Sequence, residues 1–217
     1  MKRYHYTIPA MIIAFLLTMS QQAPAAVPAG EGMDGTAVSV KAAEFRTAMR
    51  KLWEDHITWT RLYIISAISN LPDKDATAQR LLRNQDDIGN AVASFYGGAA
   101  GTALATLLKT HITTAGELIA AAAAHDQVKQ ADATKRWYKN ADEIAEFLSG
   151  ANPNNWPAPE MKSMMHDHLN LTTTEVVARL QGNWKDDVAA YDKIHAQILG
   201  MADMLSRGIE AQFPDKF

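Results

Sequence analysis

The sequence predicts an all-α protein, a six-helix bundle built from three tandem helical-hairpin repeats, and three observations carry that reading. Apolar residues recur at helical spacing over six long stretches, no run alternates apolar and polar residues between hairpin-type turns, and one histidine-centred pattern occurs three times. Seven, four and three residues before His56 stand Met49, Leu52 and Trp53; before His111, Leu104, Leu107 and Leu108; before His168, Met161, Met164 and Met165. At about 100° per residue these offsets fall within about 60° of the histidine's own direction, so each imidazole lies in the middle of an apolar stripe. Asp55, Thr110 and Asp167, one residue before each histidine, point sideways and are polar. The histidines are 55 and 57 residues apart, a period that suits hairpins that cannot bury their apolar faces alone and stack on one another.

The first helix is expected from about Ala42 to Asn70, with Arg50, Lys51, Glu54, Asp55 and Arg61 opposite the stripe of Met49, Leu52, Trp53, Trp59 and Tyr63; Leu71-Pro72-Asp73 ends it. The second runs from about Asp75 to Phe95 and stops at Gly97-Gly98. The third, about Gly101 to Ala124, is favoured by alanine propensity, and Ala120 to Ala124 would allow a close helix approach. The fourth spans about Asp132 to Ser149. The long loop Gly150 to Pro159, rich in Asn and Pro, reads as the best internal boundary. The fifth helix, about Pro159 to Gln181, is expected to bend near Asn170 to Thr174, and the sixth runs from about Lys185 to Gln212, ending at Pro214. The second helices of the hairpins also match, aligning Asn84, Asp86 and Ile88 with Asn140, Asp142 and Ile144 and with Met201, Asp203 and Leu205, the third copy being about one turn longer.

Lys2 and Arg3, the apolar run Ile8 to Met19, and Ala23-Pro24-Ala25 together read as a secretory signal over residues 1–25, cleaved after Ala25, followed by a flexible leader over 26–40 and the bundle over 41–213. The expected location is periplasmic or secreted. The apolar run is short for a membrane span, so no stable membrane anchor is expected. The absence of cysteine excludes disulfides, thiolate metal sites and a lipidated N-terminal cysteine. Removing Lys2 and Arg3 leaves 19 basic against 24 acidic residues, scattered without a basic cluster, which argues against nucleic acid as a partner.

Short turns make the odd-numbered helices parallel, so His56, His111 and His168 are expected at similar height around a shared interior. Three imidazoles suit zinc or copper, with a carboxylate, another histidine or water completing the shell; Glu175, His195, Asp86, Asp142 and Glu117 are the candidate further ligands or orienting partners. Glu175 follows His168 by seven residues on the same helix face, and His195 interrupts the apolar series Val188, Tyr191, Ile198, Ala202 and Leu205. The competing reading makes each histidine a core residue bonded to Asp, Asn or Thr of a neighbouring helix. A buried unpaired imidazole costs roughly 1–3 kcal/mol, so a partner is required with or without metal. Asn84 and Asn140, both on apolar faces, are expected to bond the histidine helix, and the carboxylates beside them either face solvent or aim at a histidine. Met161, Met164, Met165, His166 and His168 suggest copper by ligand type, but His166 and His168 point about 160° apart on a helix and the methionines hold core positions. Trp53, Trp59 and Tyr63 either line a pocket beside His56 or fill core.

No phosphate-binding Gly loop, G-x-S-x-G, H-E-x-x-H, EF-hand or Glu-x-x-His pair is present. The phrases LWEDHITWTR, RWYKNADEIAEFLSGANPNNWP and KIHAQILGMADMLSRGIEAQF resemble an uncharacterised bacterial exported all-helical family over nearly all of the mature chain. Some relatives carry the labels glycosyltransferase or acetylglutamate kinase, for which this chain has no nucleotide-binding βαβ pattern. The resemblance implies fold and export and supplies no catalytic residues. The expected function is therefore non-enzymatic binding of a transition metal or small ligand in the histidine-lined interior, the alternatives being a structural or protein-interaction module and a metal-dependent hydrolase. Exposed apolar area on one face would favour the module, and an open pocket above the histidines the hydrolase.

Overall fold

A computed structural model describes residues 39–217; the expected signal peptide and all but the end of the leader lie outside them. Six α-helices follow, α1 (Val40–Ile68), α2 (Lys74–Tyr96), α3 (Gly98–Ala123), α4 (Gln127–Ala151), α5 (Ala158–Leu180) and α6 (Trp184–Gln212), with a terminal 3₁₀ turn (Pro214–Lys216) and no strand among the described residues. Local chemistry sets their ends. Ser39, Asp126 and Asn183 accept from backbone N–H groups of Ala42, Lys129 and Asp186, capping α1, α4 and α6. Left-handed residues stop or join the others: Asn70 (φ 50°), Gly97 (φ 89°), His125 (φ 56°) and Gly182 (φ 69°).

Each helix packs on the next, α6 returns to α1, and α1 also touches α3 and α5. Connections this short between long packed helices make successive neighbours antiparallel, so α1, α3 and α5 run the same way with the core between them. In all three histidine stripes the residues seven and three before the histidine are buried (Met49, Trp53; Leu104, Leu108; Met161, Met165), whereas those four before it, Leu52, Leu107 and Met164, are half-buried on the flank facing the next helix. Arg46 with Glu210 and Arg50 with Asp203 (2.6 Å) tie α1 to α6 and close the ring.

Four details differ from the sequence expectations. A close helix approach is made by Gly89 and Gly101, where a Cβ on Gly89 would lie 2.6 Å from the Gly101 carbonyl oxygen; in the alanine run Ala120 to Ala124 only Ala121 is buried. That run therefore supplies helix propensity more than contact. The loop after α4 is no boundary, because Trp156 turns inward to 1% exposure against Gly208, and Asn152 Nδ2 donates to the Gly208 carbonyl (2.8 Å). Helix α5 is unbroken through Asn170–Thr174, where the Thr172 and Thr174 hydroxyls donate to the carbonyls of His168 and Asn170. Finally, packing continues past α6: Phe217 stacks on Phe95 (5.5 Å between centroids) and Lys216 donates to the Ser94 carbonyl (2.9 Å).

A methyl group at Gly208 would overlap the Trp156 indole, which is enclosed and cannot step aside. Gly208→Ala is expected to cost about 1–3 kcal/mol in urea unfolding through overpacking. Gly200→Ala, on the exposed side of the same helix with nothing near the added carbon, should instead gain up to about 1 kcal/mol from helix propensity. Equal effects of the two substitutions would contradict this packing.

Candidate functional site

Helices α1, α3 and α5 carry His56, His111 and His168 into the middle of the bundle, where they are 4%, 4% and 6% exposed. Each ring meets a side-chain amide 29 residues further along the chain. His111 Nδ1 lies 2.9 Å from Asn140 Oδ1, His168 Nδ1 lies 3.1 Å from Gln197 Oε1, and His56 Nδ1 lies 3.3 Å from Gln85 Nε2. The amides also reach back to the histidine helix. Asn140 Nδ2 donates to the Leu107 carbonyl and Gln197 Nε2 to that of Met164, in both cases the residue four before the histidine. In the first hairpin the work is divided, Asn84 donating to the Leu52 carbonyl while Gln85 meets the ring. Asn84 and Asn140 thus bond the histidine helix as expected, but the third partner is Gln197, one turn before the aligned Met201, which is plain core.

The three imidazoles line one small cavity of about 20 Å³ together with Thr60, Tyr63 and Thr172. The His56 and His168 ring centroids are 6.0 Å apart, and His111 Nε2 is buried without a protein partner. Burial pushes His56 and His111 down to about 3, with the neighbouring His168 as a further cause and the amide bonds opposing; burial lowers His168 as well. The rings are neutral at pH 7.

The other sequence candidates lie elsewhere. Glu175 is buried, but its carboxylate takes Arg61 Nη1 (2.5 Å), and the same guanidinium binds Asp187, which is shared with Arg179. Arg61 therefore faces inward toward α5 and α6, not outward as its helix angle suggested. His195 is half-exposed and meets Glu54 (2.9 Å), Asp86 pairs with Lys109, Asp142 with His166 and Glu117 with Arg136. None of them joins the triad. Among the described residues no group of three His, Asp or Glu side chains is arranged to hold a metal ion. Of the aromatic trio beside His56, Tyr63 lines the cavity, Trp53 is core, and Trp59 lies under the Arg80 guanidinium.

A second feature lies apart from all of these sequence candidates. Between the first half of α4 and the second half of α5, floored by α3, a cleft of about 770 Å³ opens to solvent. Its lining contains no Asp, Glu, Lys or Arg. Ala115, Ile119, Trp137 and Thr172 line both the cleft and the histidine cavity, so one layer of side chains separates the two. The sequence signal for the missed partners was the recurrent amide 29 residues after each histidine; the cleft, which depends on helix divergence, had none.

Comparison with protein-family models, curated proteins and solved structures finds no match.

The buried histidines make stability depend on pH. A base whose folded value lies below its unfolded value of about 6.5 gains its proton on unfolding, so its contribution is complete above about pH 6.5 and drains away as pH falls toward 3. Glu175 acts the other way. Burial raises it to about 7, so its contribution is present below the ordinary carboxyl value and is lost as pH climbs toward 7. Three bases outweigh one acid. The urea midpoint should rise steeply from pH 4 to about 6.5, whereas a flat or falling midpoint over that range would mean that the imidazoles are not buried neutral.

Proposed function

We propose that the protein is a non-enzymatic binding protein that takes a small, uncharged, largely apolar molecule into the cleft between α4 and α5. The observation that carries this reading is the combination of size and chemistry: about 770 Å³ falls in the range of small-molecule sites, and the lining joins apolar side chains with hydroxyls, amides and one imidazole, His125 at the rim, and has no carboxylate, ammonium or guanidinium. No Asp, Glu, Lys or Arg side chain in the lining offers an ionic ligand a counter-charge.

The polar groups also favour a particular ligand. The hydroxyls of Thr134, Thr172 and Thr174 donate to carbonyls of their own helices, leaving lone pairs available to a ligand N–H or O–H. Gln130 and Gln181 add neutral amides, and Tyr138 is bonded to Asn170 across the seam (2.6 Å). The imidazoles stay buried behind Trp137 and Thr172, which argues against an open hydrolytic pocket above them. Export, expected from residues 1–25, is part of the proposal and makes the ligand one met outside the cytoplasm.

N-phenyl-1-naphthylamine, an uncharged apolar fluorophore, is the probe. Titration should give saturable one-to-one binding with enhanced, blue-shifted emission. Ala122→Phe, which fills the cleft, should weaken binding by about tenfold or more, equivalent to roughly 1.4 kcal/mol, while Ala120→Phe on the exposed side of the same helix should bind as wild type. Absence of saturable binding, or equal binding by Ala122→Phe, would refute the assignment.

A further inference from the structure

The histidine cavity has a donor and acceptor pattern that follows from the amides around it. Asn140 Nδ2 is committed to the Leu107 carbonyl, so Oδ1 faces His111 Nδ1. An oxygen there requires a proton on Nδ1, which leaves His111 Nε2 a bare lone pair. Gln197 Nε2 is likewise committed to the Met164 carbonyl, so His168 carries its proton on Nδ1 and a lone pair on Nε2.

His56 comes out the other way. Asn84 Nδ2 donates to the Leu52 carbonyl, which fixes Asn84 Oδ1 as an acceptor beside Gln85. Gln85 Nε2 lies 2.8 Å from the Leu81 carbonyl and 3.2 Å from that Asn84 oxygen. Turning the amide over would set oxygen against both, although in its present orientation Gln85 Oε1 has no protein partner. The two hydrogens of that NH₂ are shared among three neighbours, His56 Nδ1 being the farthest at 3.3 Å; a proton on Nδ1 would set N–H against NH₂, donor to donor, so Nδ1 carries the lone pair and the proton of His56 sits on Nε2.

We infer that the cavity is a binding site for one water molecule, which donates to His111 Nε2 and His168 Nε2 and accepts from His56 Nε2–H. Its volume of about 20 Å³ accommodates a single water, and three hydrogen bonds are the usual complement of a buried one. The orphaned His111 Nε2 gains a partner by this arrangement. The same pattern disfavours a metal bound by all three rings, because ligation needs three lone pairs and His56 offers an N–H.

The test is nitrogen NMR of the imidazoles in the full wild-type protein at pH 7.5, using ¹⁵N-histidine label and long-range correlation to the ring protons. Expected are Nδ1–H tautomers for His111 and His168 and an Nε2–H tautomer for His56, with cross-peaks from a long-lived water to ring protons of all three. Added zinc chloride should leave these signals in place. An Nδ1–H tautomer at His56, missing water cross-peaks, or zinc-induced shifts of the three Nε2 signals would each overturn the inference. The outcome is independent of the cleft, whose probe binding is read separately.

Discussion

An imidazole placed in an apolar core must find a partner for its Nδ1, and in this bundle the partner is always an amide on the following helix. The same amide side, in one residue or two adjacent ones, donates to the carbonyl four residues before the histidine. That carbonyl already accepts the histidine's own backbone N–H within the helix, so the amide takes its second lone pair. Two bonds made by one short segment fix both the height of the second helix and its rotation against the first. The half-buried position of Leu52, Leu107 and Met164 follows, because their carbonyls must be reachable from the neighbouring helix. Apolar contact alone would tolerate a slip of one turn; a buried amide left against hydrocarbon would not, since each unsatisfied group costs roughly 1–3 kcal/mol.

The cleft reflects where this register leaves slack. Helices α2 and α3 are joined through a single glycine and meet at the Gly89–Gly101 contact, and α5 and α6 are joined by a short turn. Helices α4 and α5 are held at one end by Trp156, buried between the loop and α6, and near their midpoints they are bridged by Tyr138 and Asn170. The far end is where the cleft opens. Small side chains on α3, Ala115, Ala122 and Ala123, leave its floor low. The cluster of Arg61, Glu175, Asp187 and Arg179, two guanidiniums against two buried carboxyl groups, occupies the α1, α5 and α6 side and stays out of the cleft lining.

Much of this fold could be read from residue spacing. The six helices, their stops and the burial of all three histidines follow from periodicity, because a period of 3.6 residues reports one helix's face without reference to any other helix. Relations between helices were less accessible. Glu175 was rightly placed on the inward face of α5, but whether it met a histidine or an arginine depended on Arg61 of α1, and a sequence does not state how two faces are turned toward each other. Gln85 and Gln197 are obscured for a similar reason: Gln85, next to Asp86 and Asp87, resembles a solvated edge, and Gln197, between Ala196 and Ile198, has no distinguishing neighbour until the opposing ring is known. His195 shows the reverse error, since a histidine within an apolar series lay at the stripe's margin and met Glu54 at the surface. Trp156 was hidden by its surroundings, loop composition marking where a helix stops and not where the indole goes.

The claim that the amide–imidazole links hold the bundle in register is tested most directly by a double-mutant cycle on His111 and Asn140, with stability measured by urea unfolding at pH 7.5. Each single change to leucine leaves a buried polar partner unpaired, and each is expected to cost about 1–3 kcal/mol beyond any packing effect. The double variant removes both groups together. It should be less destabilised than the sum of the singles by about 1 kcal/mol or more, as expected for residues in direct contact. Additivity within about 0.5 kcal/mol would contradict the account, because it would mean that the ring and the amide fold independently of one another.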